Sequence, residues 1–260
     1  MTRLAFKVAV YAVALVASVG SYVAEARHHT PIEQAVQNPA RPDDDRARDE
    51  ARKPAEVLAF FGIEPGMRVM EVGGGSGYYT EILNYVVGGE GKVIAQNGPG
   101  PFYESFLKEP LATRYKDGRL ENAEQLLASA PDWELEDGSL DAVFIFLIYH
   151  HMHIGPDGAE AMPESTVATL AKLRAALKPG GLLGLIEHRA AEGATRVESA
   201  AWHRITDAVA RADMAAAGFA FDGASDMFTN AEDDQRNYWR ESGMSGKTTR
   251  IVHRYRKPAE

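Results

Sequence analysis

The chain has no cysteine among its 260 residues. Disulfides, thiolate zinc sites and iron–sulfur clusters are therefore excluded. So are radical chemistry on a cysteine-held cluster and pyrimidine C5 methylation through a cysteine adduct, while reducing and oxidising compartments both stay open. The sequence also lacks an apolar run of membrane-spanning length. Val8 to Val19 covers about 12 residues, against the roughly 20 that a helix needs to cross a bilayer. Positive charge is scarce as well. The formal net charge is -9, and setting aside residues 1–26, where Arg3, Lys7 and Glu25 sum to +1, leaves -10. A surface of that sign repels phosphate backbones, so no nucleic-acid partner is expected.

What is present is ordinary for a folded chain, with 45% hydrophobic and 25% charged residues and enough length for one well-buried domain. Arg3 and Lys7 precede the apolar run, and small residues then lead to Ala24-Glu25-Ala26. That order predicts a signal peptide over 1–26, cleaved after Ala26, and a periplasmic or secreted protein without stable membrane insertion. An uncleaved anchor is the second alternative and an ordinary buried helix the third; the anchor too places the domain outside the cytoplasm, because the positive residues come first. Residues 27–53, with Pro31, Pro39, Pro42 and a mixed-charge run from Asp43 to Lys53, read as a polar linker entering a solvated helix start. The folded domain is expected over 54–260.

Pro54 opens a short helix that Gly62 and Pro65 stop. Strands are expected at Arg68–Val72, Lys92–Asn97, Arg119–Asn122, Leu140–Ile148 and Gly181–His188, and helices at Ser76–Val87, Pro101–Lys108, Ala123–Ala130 and Pro163–Leu177. A helix over Trp202–Ala217 and strands at Phe219–Ser225 and Thr248–Arg256 follow. This alternation predicts an α/β fold, a mostly parallel sheet of seven strands with helices on both faces.

Val69-Met70-Glu71-Val72-Gly73-Gly74-Gly75-Ser76-Gly77-Tyr78 combines a strand, a glycine-rich turn and a helix start. Glycines let backbone approach a ligand, and the helix N-terminus offers free N–H groups. A dinucleotide fingerprint beginning at Gly73 needs glycine at position 78, where this chain has Tyr78. The spacing Glu71-x-Gly73-x-Gly75-x-Gly77 instead resembles the first motif of class I, Rossmann-like S-adenosylmethionine-dependent methyltransferases. Gly91 to Asn97, Asn122-Ala123, Asp137 to Val143 and Leu177 to Gly181 resemble that family's later motifs in order and spacing. The Arg52-Lys53-Pro54-Ala55-Glu56 and Tyr78-Tyr79-Thr80 strings are similar to a bacterial group of such enzymes that carries a secretion signal. The resemblance implies an antiparallel last strand, S-adenosylmethionine as cofactor, and contacts to it from Glu71, Gly73, Gly75, Gly77, Asn97, Asn122 and Ala123. Asn97 stands where the family has an acid that holds ribose hydroxyls, and Asn122 where it has an aspartate that reads adenine. Asn97→Asp is accordingly expected to tighten binding by up to about 1.5 kcal/mol.

Ligands of parallel sheets bind at the carboxyl ends of the strands. Ile148-Tyr149-His150-His151-Met152-His153 ends the fourth expected strand and Glu187-His188 the fifth. Methyl transfer to a hydroxyl or amine needs the nucleophile aligned and often relieved of a proton. His150 is therefore the first candidate for a general base, with Tyr149 positioning and Glu187, His188 and His203 in support; packing or cofactor positioning alone is the alternative role for these histidines. A metal site from His150, His151, His153 and Glu187 is not the expectation, since neighbours on an extended strand end point to opposite sides. The segment after the fourth strand also lacks the Asn/Asp-Pro-Pro-aromatic turn typical of nucleobase amine methylation. A small-molecule acceptor is the default and a protein side chain the second choice. The alternative from another class is a module that binds S-adenosylmethionine or a related nucleoside without turnover.

Overall fold

The computed structural model describes residues 30–155, 158, 160–240 and 243–259. The expected signal peptide falls outside the described residues. Seven strands, β1 (Arg68–Val72), β2 (Lys92–Asn97), β3 (Ala123–Leu127), β4 (Leu140–Phe146), β5 (Leu177–His188), β6 (Ala220–Ala224) and β7 (Arg250–Arg256), form one sheet in the order β3-β2-β1-β4-β5-β7-β6. The first five pair in parallel, and β7 runs antiparallel to both β5 and β6, as expected for a Rossmann-like sheet with an antiparallel last strand. The strand order reverses between β1 and β4, which opens a crevice there at the carboxyl ends.

Apolar side chains alternate between two buried layers. On one face Val69, Phe144, Phe146 and Ile186 pack with α4 (Pro54–Phe61) and α5 (Tyr78–Val87) through Leu58, Phe61, Ile82 and Leu83. On the other, Met70, Val143, Ile145 and Leu185 pack with α7 (Glu164–Ala176) and α9 (Asp207–Ala216) through Leu170, Leu173, Ala210 and Met214. Each such side chain removed from water contributes about 1.5–3 kcal/mol. The two-sided burial explains why β4 reads as a nearly continuous apolar run.

Three expectations are corrected. The segment 27–53 is not a linker where it is described: α1 (Pro31–Val36), α2 (Asp43–Arg46) and α3 (Asp49–Arg52) fold back onto the domain. A Thr30–Glu33 capping box starts α1. Part of its charge is paired internally, with Asp43, Asp44 and Glu50 left exposed: buried Arg41 forks onto Asp49 at 2.7 and 2.8 Å, and buried Asp45 lies 2.8 Å from Arg114 of α6 (Lys108–Arg114). Second, Ala123–Leu127 is a strand, not a helix. Its residues are mostly helix formers, but the open edge of β2 supplies partners for its backbone groups, which outweighs that weak preference. Third, the helix expected over Trp202–Ala217 begins only at Asp207, as α9, and a separate short helix, α8 (Arg196–Ala201), ends before that span. Between them Ile205 donates to the His188 carbonyl at 2.9 Å and accepts from Ala190 at 2.8 Å, which pins the chain to the end of β5 and leaves His203 at φ +53°.

Candidate functional site

A cleft of about 730 Å³, counted to its open mouth, lies at the crevice between β1 and β4. Glu71, Gly73, Gly74, Gly75 and Ser76 form one wall. Gly73, Gly75 and Gly77 all have positive φ, which any side chain would strain. Gly77 also needs its small size: a Cβ there would sit 2.7 Å from Arg114 Cδ, and Arg114 is the side chain that ties Glu81 and Asp45 together. The loop is braced from β2. Gln96 Oε1 accepts from Gly73 N at 3.0 Å, and Asn97 Oδ1 accepts from Gly75 N at 2.9 Å. Asn97 Nδ2 donates back to the Gly75 carbonyl at 3.2 Å. Asn97 thus reaches the loop as a brace, with both polar atoms engaged there.

Glu71 is 4% exposed. Burial pushes its carboxyl up to about 7, against the opposing hydrogen bond from Thr80 and the charges of Arg52 and Arg114; Thr80 Oγ1 donates to its Oε2 at 2.5 Å. Opposite the glycines, Arg48, Arg52 and Arg250 also line the cleft. Burial, then repulsion from Arg48, lowers the pKa of Arg52. Burial likewise pulls Arg250 down to about 10, and its guanidinium donates to the carbonyls of Ala51 and Gly246 at 3.1 and 3.0 Å. Sequence inspection missed these arginines as site residues. The signal available was the Arg52-Lys53 pair, placed at the end of the polar linker and noted only for its likeness to the bacterial group.

Asn122 and Ala123 are corrected. Because β3 begins at Ala123, both lie at its amino end, away from the carboxyl ends where the cleft is. Asn122 is used against α5, its backbone N–H donating to Asn84 Oδ1 at 2.9 Å. Tyr149 is also corrected as a positioning residue for the cleft: its ring is fully buried in the layer against α7 and α9, and its hydroxyl donates to Asp213 at 2.9 Å. Desolvation and Asp213 raise its pKa, so it stays protonated.

The other candidates do converge, at the ends of β4 and β5. His150 Nδ1 lies 2.8 Å from Glu187 Oε1, and the His150 backbone N–H donates to Oε2 at 3.0 Å. Burial opposes the charge on Glu187, but the neighbouring His150 outweighs it and holds the carboxyl below its ordinary value. Rings of His150, His151 and His203 meet with centroids 4.1 to 5.3 Å apart. His188 accepts or donates at 2.7 Å with Thr248 and stacks on Trp239 at 5.0 Å; burial drives its pKa down to about 3, so it is neutral. His153 turns away, its ring buried against the His150 carbonyl and Ser199. Leu147 and Ile186 line the cleft, so the cluster begins one to three residues beyond it along each strand.

Comparison with known proteins fits this layout. Residues 20–98, which include β1, the glycine loop and β2, match the model of the protein-L-isoaspartate(D-aspartate) O-methyltransferase family. The chain is 32% identical over 130 residues to protein-L-isoaspartate O-methyltransferase 1 of Arabidopsis thaliana, covering 46% of each; it thus spans about half the length of that curated relative. A solved S-adenosylmethionine-dependent methyltransferase of Aquifex aeolicus superposes with a TM-score of 0.58 at 20% identity, over 82% of this chain and 94% of the other. The 1,6-didemethyltoxoflavin-N1-methyltransferase of Burkholderia thailandensis, solved with S-adenosylhomocysteine bound, gives a TM-score of 0.50 at 18% identity, over 83% and 80%. The chain has the Rossmann-like fold of class I methyltransferases.

Proposed function

We propose that the chain is an S-adenosylmethionine-dependent methyltransferase acting on a small molecule, exported from the cytoplasm. One observation carries the assignment: a buried carboxylate, a left-handed glycine loop and arginines sit together at the strand-order reversal. Both Glu71 and Arg52 are held in an environment that disfavours their charges. A ligand with an ammonium and a carboxylate relieves both at once. The methionine end of S-adenosylmethionine is such a ligand, and the glycine loop leaves room for its nucleoside.

The matches over 20–98 and over 130 aligned residues favour the cofactor. They carry little about the acceptor, since they cover under half of the chain. A small molecule is the acceptor class we assign, with His150, beside Glu187 at the strand ends next to the cleft, as the base for its hydroxyl or amine. Export rests on the charged, apolar and A-x-A order of residues 1–26. Cleavage after Ala26 leaves the α1 cap at Thr30 intact.

Calorimetry of the chain from Arg27 onward tests this. One-to-one binding of S-adenosylmethionine and S-adenosylhomocysteine is expected, with no binding of NAD. Failure to bind either nucleoside refutes the proposal. Binding without methyl transfer to any of a broad set of small alcohols, acids and amines would favour the non-catalytic binding module.

A further inference from the structure

We propose that His150, His151 and His203 hold a divalent transition-metal ion of the zinc type. One potential ligand nitrogen from each of the three lies within 4.8 Å of the others. Metal–imidazole bonds of about 2.0–2.1 Å at tetrahedral angles place such nitrogens roughly 3.3 Å apart. His151 is exposed and His203 half-buried, so both rings can close that gap by side-chain rotation while buried His150 stays fixed.

Three further observations point the same way. Glu187, fully buried, stands 2.8 Å from His150 Nδ1. With Nδ1 kept beside that carboxylate, Nε2 would be the nitrogen offered to an ion, the carboxylate–histidine arrangement that orients and strengthens a metal-bound imidazole. The carboxylate also offsets part of the ion's charge. Next, the backbone is held at positive φ at Leu147 and His203, and such strained conformations gather at functional sites. Finally, the third ligand is brought in from 52 positions along the chain by the bridge that binds Ile205 to the end of β5. His153, a neighbour in sequence, is turned away.

Three protein ligands leave positions open to water or to one oxygen of a bound molecule. An acceptor hydroxyl bound there would lose its proton more easily, and His150 would act as ligand instead of free base. This last point rests on the methyltransferase proposal; metal binding itself does not.

The test uses the whole mature chain with His28 and His29 changed to alanine, so that the new N-terminus offers no competing imidazoles. After chelator treatment the protein is titrated with Zn(II) by calorimetry and with Co(II) by its visible absorption. One ion per chain is expected, with affinity weakened at least about 100-fold in His151→Ala and His203→Ala and about 10- to 100-fold in Glu187→Gln. Should His203→Ala fail to fold by circular dichroism, the exposed His151 variant decides alone. Absence of binding below about millimolar concentration, or binding that the His151 variant leaves unchanged, overturns the assignment. S-adenosylhomocysteine affinity, measured on the same samples, reports separately on the cofactor cleft.

Discussion

Glu71 gives the sharpest quantitative handle on the cleft. Its carboxyl is raised to about 7 in the ligand-free fold, chiefly by burial, from an ordinary 4.5. A ligand ammonium beside it should return the group to the charged form, with a pKa in the complex near the ordinary value. Binding then competes with protonation. At pH 5.5 only about one ligand-free molecule in thirty carries the charged carboxylate, whereas at pH 8 about nine in ten do. S-adenosylhomocysteine should therefore bind about 30-fold more weakly at pH 5.5 than at pH 8. Binding at pH 7 should release about half a proton, readable by calorimetry in buffers of different ionisation enthalpy. Glu71→Gln should bind weakly at both values, without the pH dependence. The stability of the ligand-free protein follows with its own sign. A folded pKa above the unfolded one makes the contribution complete below pH 4.5 and lost as pH rises through 7, a difference of roughly 3 kcal/mol by pH 8. Equal affinity at pH 5.5 and 8, or the same pH dependence in Glu71→Gln, would refute the placement of the ligand's ammonium.

Gly75→Val should weaken S-adenosylhomocysteine binding at least about 100-fold and destabilise the fold by only about 1–2 kcal/mol, because φ is +59° but no atom lies within 4 Å of an added Cβ; unchanged affinity would reject the loop. Asn97→Asp should weaken binding by about 5- to 10-fold, since a carboxylate cannot donate to the Gly75 carbonyl that Nδ2 reaches at 3.2 Å. This reverses the tightening expected from sequence, and an observed gain would mean that residue 97 turns to the ligand. Asp233→Ala should lower stability by about 3–5 kcal/mol in a denaturant titration, because it leaves the 0%-exposed side chain of Arg204 with carbonyl partners but without a compensating carboxylate among the described ion pairs; a loss under 1 kcal/mol would show water reaching that arginine. Expressed in a bacterium that exports it, the protein should begin at Arg27 by intact-mass measurement. Deleting residues 1–26 should leave cofactor affinity unchanged, whereas deleting 1–53 should abolish it by removing Arg48 and Arg52 from the cleft.

Local patterns sufficed wherever one segment carries its own periodicity or turn chemistry. The β1–glycine loop–α5 unit, the parallel sheet and the pairing of His150 with Glu187 at adjacent strand ends were all legible, because strand alternation, left-handed glycines and strand order are set by neighbouring residues and a general rule of connection. Three features depended on contacts between distant segments. Ala123–Leu127 became a strand because an unpaired edge needed it, although its own residues prefer helix. Asp45 and Asp49 in the run 43–53 are drawn inward, not left in solvent, because Arg114 and Tyr78 supply partners from elsewhere in the chain. His203 reaches His150 only because backbone hydrogen bonds to the end of β5 interrupt a helix-like sequence at Thr206. Sequence by itself determined which chemistry the chain carries and on which sheet edge most of it lies; the tertiary structure alone decided which arginines close the cleft and which histidines meet, since neither pairing is encoded at any spacing shorter than the fold itself.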